Sequence, residues 1–349
     1  MNPSIRFTTT CDGARLAYYT MGRGVPFVAT SGLQWGHLGY TLSFKEHYRS
    51  NSPGGLGPGL QIVRYDARGT GLSDRSRIDF SIEAQIRDLE AILEATGHEQ
   101  FVLFGRRHGA PLAITYAALY PERVSHLVLS IPHARGREMR PLFENLGLES
   151  VSEMTEEQWK SHTRMMAIAT VGLMPNRMAE GLARSYRESM TPESYLAFLR
   201  WREEVDVTDV LPRVTVPTLV LSLRASTRPR LEVEVASAIP NAVIVTNDAD
   251  ETVPGRWLPA ETEAVLDFLG IKDGAFRAPN GTVPSLTHRE TEVLGLLVQG
   301  FSNRLIAEHL VLSERTVARH IANIYQKTGV HGRAEVTAYA LRHNLVQST

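Results

Sequence analysis

Six short apolar runs, separated by stretches with helical periodicity, constrain the fold of this chain more than any other feature. They read Pro26-Phe-Val-Ala-Thr30, Leu60-Gln-Ile-Val-Arg-Tyr65, Phe101-Val-Leu-Phe104, His126-Leu-Val-Leu-Ser130, Thr218-Leu-Val-Leu-Ser222 and Ala242-Val-Ile-Val-Thr246. Runs of this kind lack the alternation of a strand with one wet face, so they predict a parallel sheet covered by helices on both faces. The amphipathic segment Ile82 to Gly97 reads as one covering helix. From Pro132 to Leu211 no strand-like run occurs. The helical stretches Glu153 to Ala169, Met178 to Ser189 and Pro192 to Glu203 in that interval predict a helical lid over 132–211.

Local strings sharpen this into an α/β fold of a particular type. Asp12-Gly13, Gly22-Arg-Gly24-Val-Pro26, Ser31-Gly32 and Tyr65-Asp66-Ala-Arg68-Gly69-Thr-Gly71-Leu-Ser73-Asp74 are followed by Phe104-Gly105-Arg106-Arg107-His108-Gly109-Ala110. The last string closes a strand and opens a helix that runs to Tyr120-Pro121. Together they resemble the α/β-hydrolase family, whose nucleophile elbow, Gly-x-Ser-x-Gly, needs small residues because strand and helix pack against a strained turn. Gly105, Gly109 and Ala110 keep that turn, but the nucleophile's place holds Arg107, and a protonated guanidinium cannot attack a carbonyl. The resemblance places an acid shortly after Thr218-Leu-Val-Leu-Ser222, where this chain has Leu223-Arg-Ala-Ser-Thr227. It places a histidine just before Val253-Pro254, where this chain has Asp248-Ala-Asp-Glu-Thr252. The usual His-Gly of the oxyanion loop is Ser31-Gly32, followed by Leu33. Three departures on one retained scaffold predict that serine-type hydrolysis is absent. Ser73, His37 and His108 are the residues from which an unfamiliar catalytic set would have to be drawn, and Ser73 belongs to the Arg-Gly-x-Gly turn.

The C-terminal segment has a different texture. Thr287 and Glu290 stand at capping-box spacing, Val293, Leu294, Leu297 and Val298 recur helically, and Gly300 offers a left-handed stop. Ser302 is a cap for a second helix with Leu305, Ile306 and Leu310. Ser313 caps a third, whose Val317, Ile321 and Ile324 form a buried stripe. The opposite stripe carries Thr316, Arg319, His320, Asn323 and Lys327, with Arg315 in the first turn. Helices of this kind enter the DNA major groove, where Arg and Asn reach base edges and Thr and Lys meet phosphates. Residues 286–334 resemble the LuxR-type helix-turn-helix. That resemblance implies base contacts near Ala318, Arg319 and Ala322, and backbone contacts near Thr316, His320 and Lys327. Alanine at 318 and 322 meets thymine methyls but donates nothing, which throws the weight of base reading on Arg319.

At 349 residues and 43% apolar content, two domains each find a core. The expected division is 1–271 for the hydrolase-like part, 272–284 for a Gly- and Pro-rich linker, and 285–349 for a small all-α helix-turn-helix domain. The single cysteine, Cys11, excludes an internal disulfide and argues against structural zinc, and no cofactor is called for. No signal-like or membrane-spanning run is present, which predicts a soluble, cytoplasmic protein without membrane partners. The net charge is −1, with residues 282–349 mildly basic.

A pocketed hydrolase fold without its nucleophile, joined to a DNA-reading module, predicts a ligand-responsive transcriptional regulator rather than an enzyme. The expected ligand site comprises Ser31, Leu33, Arg107, His108 and Glu251. A carboxylate or similar anion suits Arg107 by bidentate hydrogen bonding, whereas an internal pair of Arg107 with Asp250 or Glu251 selects a neutral effector. The expected partners are double-stranded DNA, a small-molecule effector and a second copy of the chain, since one such module offers few phosphate contacts. An active esterase carrying a DNA module is the competing reading. A phosphorylation-driven receiver is disfavoured, because the N-terminal region lacks the paired acids that would hold magnesium.

Overall fold

The six predicted runs all form strands, and two more precede them. In the computed structural model they are β1 (Arg6–Thr9), β2 (Arg15–Gly22), β3 (Gly24–Ala29), β4 (Gly59–Tyr65), β5 (Phe101–Arg106), β6 (Val124–Ser130), β7 (Thr218–Leu223) and β8 (Ala242–Asn247). They make one sheet in the order β1-β2-β4-β3-β5-β6-β7-β8. β1 pairs antiparallel with β2, and β2 with β4, while β4, β3, β5, β6, β7 and β8 run parallel. The structure describes residues 4–32, 37–39, 59–139, 153–171, 176–223, 228–247, 259–271, 288–298, 301–310, 312–328, 336 and 340. The chain divides into two compact units, Met1–Phe276 and Arg277–Thr349.

Helices α1 (Ile82–Thr96) and α2 (Ala110–Leu119) cover one face of the sheet. There Leu89, Ile92 and Tyr116 are buried against Val63, Leu103 and Leu127. Ser81 caps α1 by accepting from the Ala84 amide at 3.2 Å, and Gly97 ends it at φ 71°. A second cluster, Phe27, Phe104, Leu219, Val265 and Leu269, holds α7 (Pro259–Phe268) on the other face. The lid interval contains α3 (Glu156–Val171), α4 (Asn176–Ser189) and α5 (Pro192–Glu204), followed after β7 by α6 (Pro229–Ala238). Ala167, Ala179, Ala183 and Tyr186 pack α3 against α4, while Tyr195, Phe198 and Trp201 of α5 join the main core. Arg135 ties the base of this region to α6, with Nη2 2.6 Å from Glu234 Oε1.

The turn after β4 is fastened by charge. Arg68 is 3% exposed, and its guanidinium donates from Nε to Asp88 of α1 at 2.8 Å and from Nη1 to Asp12 of the β1–β2 turn at 2.7 Å. Asp88 is fully buried. Three separate segments therefore meet on one cation.

The second unit is built from α8 (His288–Val298), α9 (Asn303–Leu310) and α10 (Glu314–Thr328). Val293, Leu294, Leu297, Ile306, Val317, Ile321 and Ile324 form its core. Both expected serine caps are in place: Ser302 Oγ accepts from the Leu305 amide at 3.3 Å, and Ser313 Oγ from the Thr316 amide at 3.1 Å. Ile306 and Ala307 face inward from α9 while Leu305 is exposed. The cap residue Thr287 and the expected linker 272–284 lie outside the described residues.

Candidate functional site: the elbow and the C-terminal helices

β5 leads into α2 through Arg107-His108-Gly109, a single tight turn in which Arg107 has φ +48°. An L side chain adopts that conformation at a cost of about 1–2 kcal/mol, so the surrounding packing must enforce it. It does so by crowding. A Cβ on Gly105 would stand 2.7 Å from Ala113 Cβ and 2.9 Å from Ala110 Cα, and one on Gly109 would stand 2.4 Å from Thr30 Oγ1. Thr30 Oγ1 also bridges the two sides of the turn, with the Phe104 carbonyl at 3.1 Å and the Gly109 carbonyl at 3.0 Å. The strained geometry of an elbow is thus present, with a guanidinium at its apex.

Burial pushes the Arg107 guanidinium down to about 10, and Arg106 beside it acts in the same direction, while Tyr186 of α4 and Glu232 of α6 act in the opposite one. At neutral pH the group remains a cation. Glu232 is 1% exposed and accepts a short hydrogen bond from the Ser222 hydroxyl at the end of β7. A buried acid therefore does reach the carboxyl end of β7, contrary to the expectation drawn from residues 223–227. It comes from the next helix instead, where Leu231 and Val235 face the sheet on either side of it. That apolar stripe was the available signal. Asp250 and Glu251, the acids expected near Arg107, lie outside the described residues.

His108 is 5% exposed, and its ring packs edge-on against Phe198 at 5.0 Å and His133 at 5.3 Å. Burial pushes both imidazoles down, His133 to about 3, with nearby guanidinium groups acting in the same sense. Both rings are neutral near pH 7. His133 was not anticipated. Its signal in the sequence is its place directly after a central strand, at the carboxyl edge where open α/β sheets bind ligands. Ser31 is buried, its hydroxyl accepting from the Ala67 amide at 3.4 Å, and its carbonyl lies against the position a Gly109 side chain would take. Leu33 falls outside the described residues. Ser73 ties its turn to β2, donating to the Asp66 carbonyl at 2.5 Å and accepting from the Ala17 amide at 2.9 Å. Among the described residues no cluster of three or more His, Cys, Asp or Glu could hold a metal ion, and no helix is long and apolar enough to cross a membrane.

In the C-terminal unit, Val317, Ile321 and Ile324 turn α10 into its core, which leaves Ala318 and Arg319 exposed and Thr316, His320 and Asn323 half-buried. Arg315, Ala322 and Lys327 lie on the same helix, and their side chains are outside the described set. Arg289 joins α8 to the end of α9, donating to the Leu310 carbonyl at 2.6 Å and to Glu292 at 2.8 Å. Two helices and a short turn thus support a third with one polar face, the arrangement that presents a helix to a groove.

Two family profiles match: the alpha/beta hydrolase fold over residues 27–154 and the bacterial regulatory proteins of the luxR family over residues 284–340. The chain joins an α/β-hydrolase domain to a LuxR-type helix-turn-helix domain. The transcriptional regulatory protein DegU of Brevibacillus brevis is 38% identical over 92 residues, 26% of this chain and 38% of that protein. The fimbriae Z protein of Escherichia coli K12 is 41% identical over 90 residues, 26% of this chain and 40% of that protein. The chain thus spans 38–40% of the length of these curated relatives. For the hydrolase domain, a hydrolase from Pseudomonas aeruginosa PA01 superposes with a TM-score of 0.61 at 19% identity, covering 76% of this chain and 98% of that one. The enol-lactonase of Burkholderia xenovorans LB400 gives 0.61 at 20% identity, covering 76% and 100%. At these identities the likeness establishes the hydrolase fold alone.

Proposed function

We propose that this chain is a DNA-binding transcriptional regulator whose hydrolase domain, residues 1–271, binds a small effector at the Arg107 elbow without consuming it. Residues 272–284 then link it to the DNA-reading domain, 285–349. The observation that carries this reading is the retained strained turn with a cation at its apex: the chain keeps a costly geometry while its apical residue has no nucleophile. Support for the other end comes from α10, which leaves Ala318 and Arg319 exposed and Thr316, His320 and Asn323 half-buried while Val317, Ile321 and Ile324 fill the core. An effector controls such a protein only by binding one arrangement of its parts better than another. We place the protein in the cytoplasm as a homodimer, so that two recognition helices meet two half-sites.

Arg107→Ala tests the reading in a reporter driven by a promoter that the wild-type chain binds. The expected result is loss of the effector response with the hydrolase domain still folded, and an unchanged response removes Arg107 from the mechanism. Glu232 is the one observation that favours an active hydrolase, since it supplies a buried acid near the elbow. Turnover of chromogenic short esters that disappears on Arg107→Ala would establish that reading instead.

A further inference from the structure

Three rings meet on the lid side of the elbow: His108 from the turn itself, His133 from the segment after β6, and Trp201 from α5. The His108 ring lies 5.3 Å from His133 and 6.4 Å from Trp201, with Phe198 closing against it. All three are buried, at 5%, 0% and 8% exposure. His108 Nδ1, both ring nitrogens of His133 and Trp201 Nε1 have no hydrogen-bond partner. Each such nitrogen opposes folding, because it gives up water and gains nothing in return. Clusters of this kind in a native protein call for an explanation.

Backbone strain falls on the same place. Among the described residues only Arg107 and Ile131 are non-glycine residues at positive φ, +48° and +50°. One immediately precedes His108, and the other stands two residues before His133. The two strained residues therefore stand beside the unmet hydrogen bonds. The charges that act on the two rings are guanidinium groups, Arg107, Arg202 and Arg228 on His133 and Arg107 and Arg202 on His108, with Glu203 paired to Arg202 at 3.2 Å and Glu232 acting on Arg107. A neutral imidazole and an indole each present an N–H donor.

We infer that this ring cluster is the anion-receiving end of the effector site, where a carboxylate or other oxyanion accepts hydrogen bonds from the ring N–H groups of His133 and Trp201 beside Arg107. This deepens the effector reading above and rests on it. The nitrogens are enclosed, so α5 must part from the elbow to admit the anion. Trp201 then closes over it, which makes occupancy legible as lid position.

The test uses the full-length chain with benzoate, inorganic phosphate and uncharged benzamide as probes, and the variants His133→Phe and Trp201→Phe. Benzoate or phosphate is expected to raise the melting temperature and shift the His133 imidazole resonances, the stronger of the two identifying the oxyanion class, while benzamide does neither. His133→Phe keeps an aromatic ring of similar size and removes two orphaned nitrogens, so it should melt above wild type without anion. Trp201→Phe also removes one ring of the buried indole, so only its anion affinity is read. Both variants should bind the anion about ten-fold more weakly. A purely structural role predicts that His133→Phe melts below wild type. That outcome, or anion binding unchanged in His133→Phe, or no anion binding to wild type at millimolar concentration, overturns the inference. If His133→Phe keeps the reporter response that Arg107→Ala loses, this subsite fails and the effector reading stands. If anion binding behaves as expected but Arg107→Ala leaves the reporter unchanged, the effector reading fails and the anion site stands.

Discussion

Arg319→Ala is expected to remove most of the chain's discrimination between its operator and unrelated duplex while leaving both domains folded. In the proposed reading the neighbouring base-facing positions, Ala318 and Ala322, offer no donors, which throws the weight of hydrogen-bonded reading on this guanidinium. A bidentate contact of Arg with guanine distinguishes bases by about 1–3 kcal/mol, roughly ten- to a hundred-fold in the ratio of specific to non-specific affinity. Arg319 is exposed, and the core of its helix is carried by Val317, Ile321 and Ile324, so melting of the C-terminal unit should not change. Fluorescence anisotropy with operator and scrambled duplex measures the ratio at fixed salt. Lys327→Ala gives the contrasting signature, a weakening that is nearly equal on both duplexes with a shallower salt dependence. A preserved ratio in Arg319→Ala would remove α10 from the reading role.

The largest effect on stability is expected from Arg68→Ala. That guanidinium is 3% exposed and serves Asp12 and Asp88, the second fully buried. Removing the cation leaves the Asp88 carboxylate enclosed without its counter-charge, and breaking a buried pair from one side costs about 3–5 kcal/mol. Desolvation already pushes the Asp88 carboxyl above the usual carboxylate range, with Arg68 pulling the other way. The loss should appear as a lower urea midpoint for the hydrolase domain. Replacing both partners by apolar residues, Arg68→Met with Asp88→Leu, should recover much of it, since no buried charge is then stranded. If Arg68→Ala alone unfolds at the wild-type midpoint, the junction of β1–β2, β4 and α1 is held by packing and not by this cation.

The sheet was legible where strands are buried on both faces. Val-Leu-Phe in β5 and Leu-Val-Leu in β6 and β7 leave no other reading, and their observed limits differ from the apolar runs only at the ends. β1 and β2 escaped notice for a physical reason. β1 is a four-residue edge, Arg-Phe-Thr-Thr, mostly exposed, where packing imposes little pattern, whereas β2 lies between β1 and β4 and buries Leu16, Ala17, Tyr18 and Tyr19, a run whose small alanine and two phenols stand out less than the Val- and Leu-rich runs. The C-terminal helices were legible down to their serine caps, because caps and apolar periodicity are both local. The elbow was legible because its small residues and its apex are contiguous in sequence. Its surroundings were not. Glu232, His133 and Trp201 come from three distant segments, and only the folded sheet brings them to one end of β5, β6 and β7. The signals they leave in sequence, a Glu inside an apolar helix stripe and a His just past a central strand, do not specify what they face.

Whether the elbow receives a compound or transforms it is decided most directly by native mass spectrometry of the full-length chain with a mixed set of small carboxylates and esters, followed over time. A receiving site gives a one-to-one complex with a compound of unchanged mass that persists on standing and is missing from Arg107→Ala. Time-dependent appearance of a cleaved product with the wild-type chain, abolished by the same substitution, would contradict it.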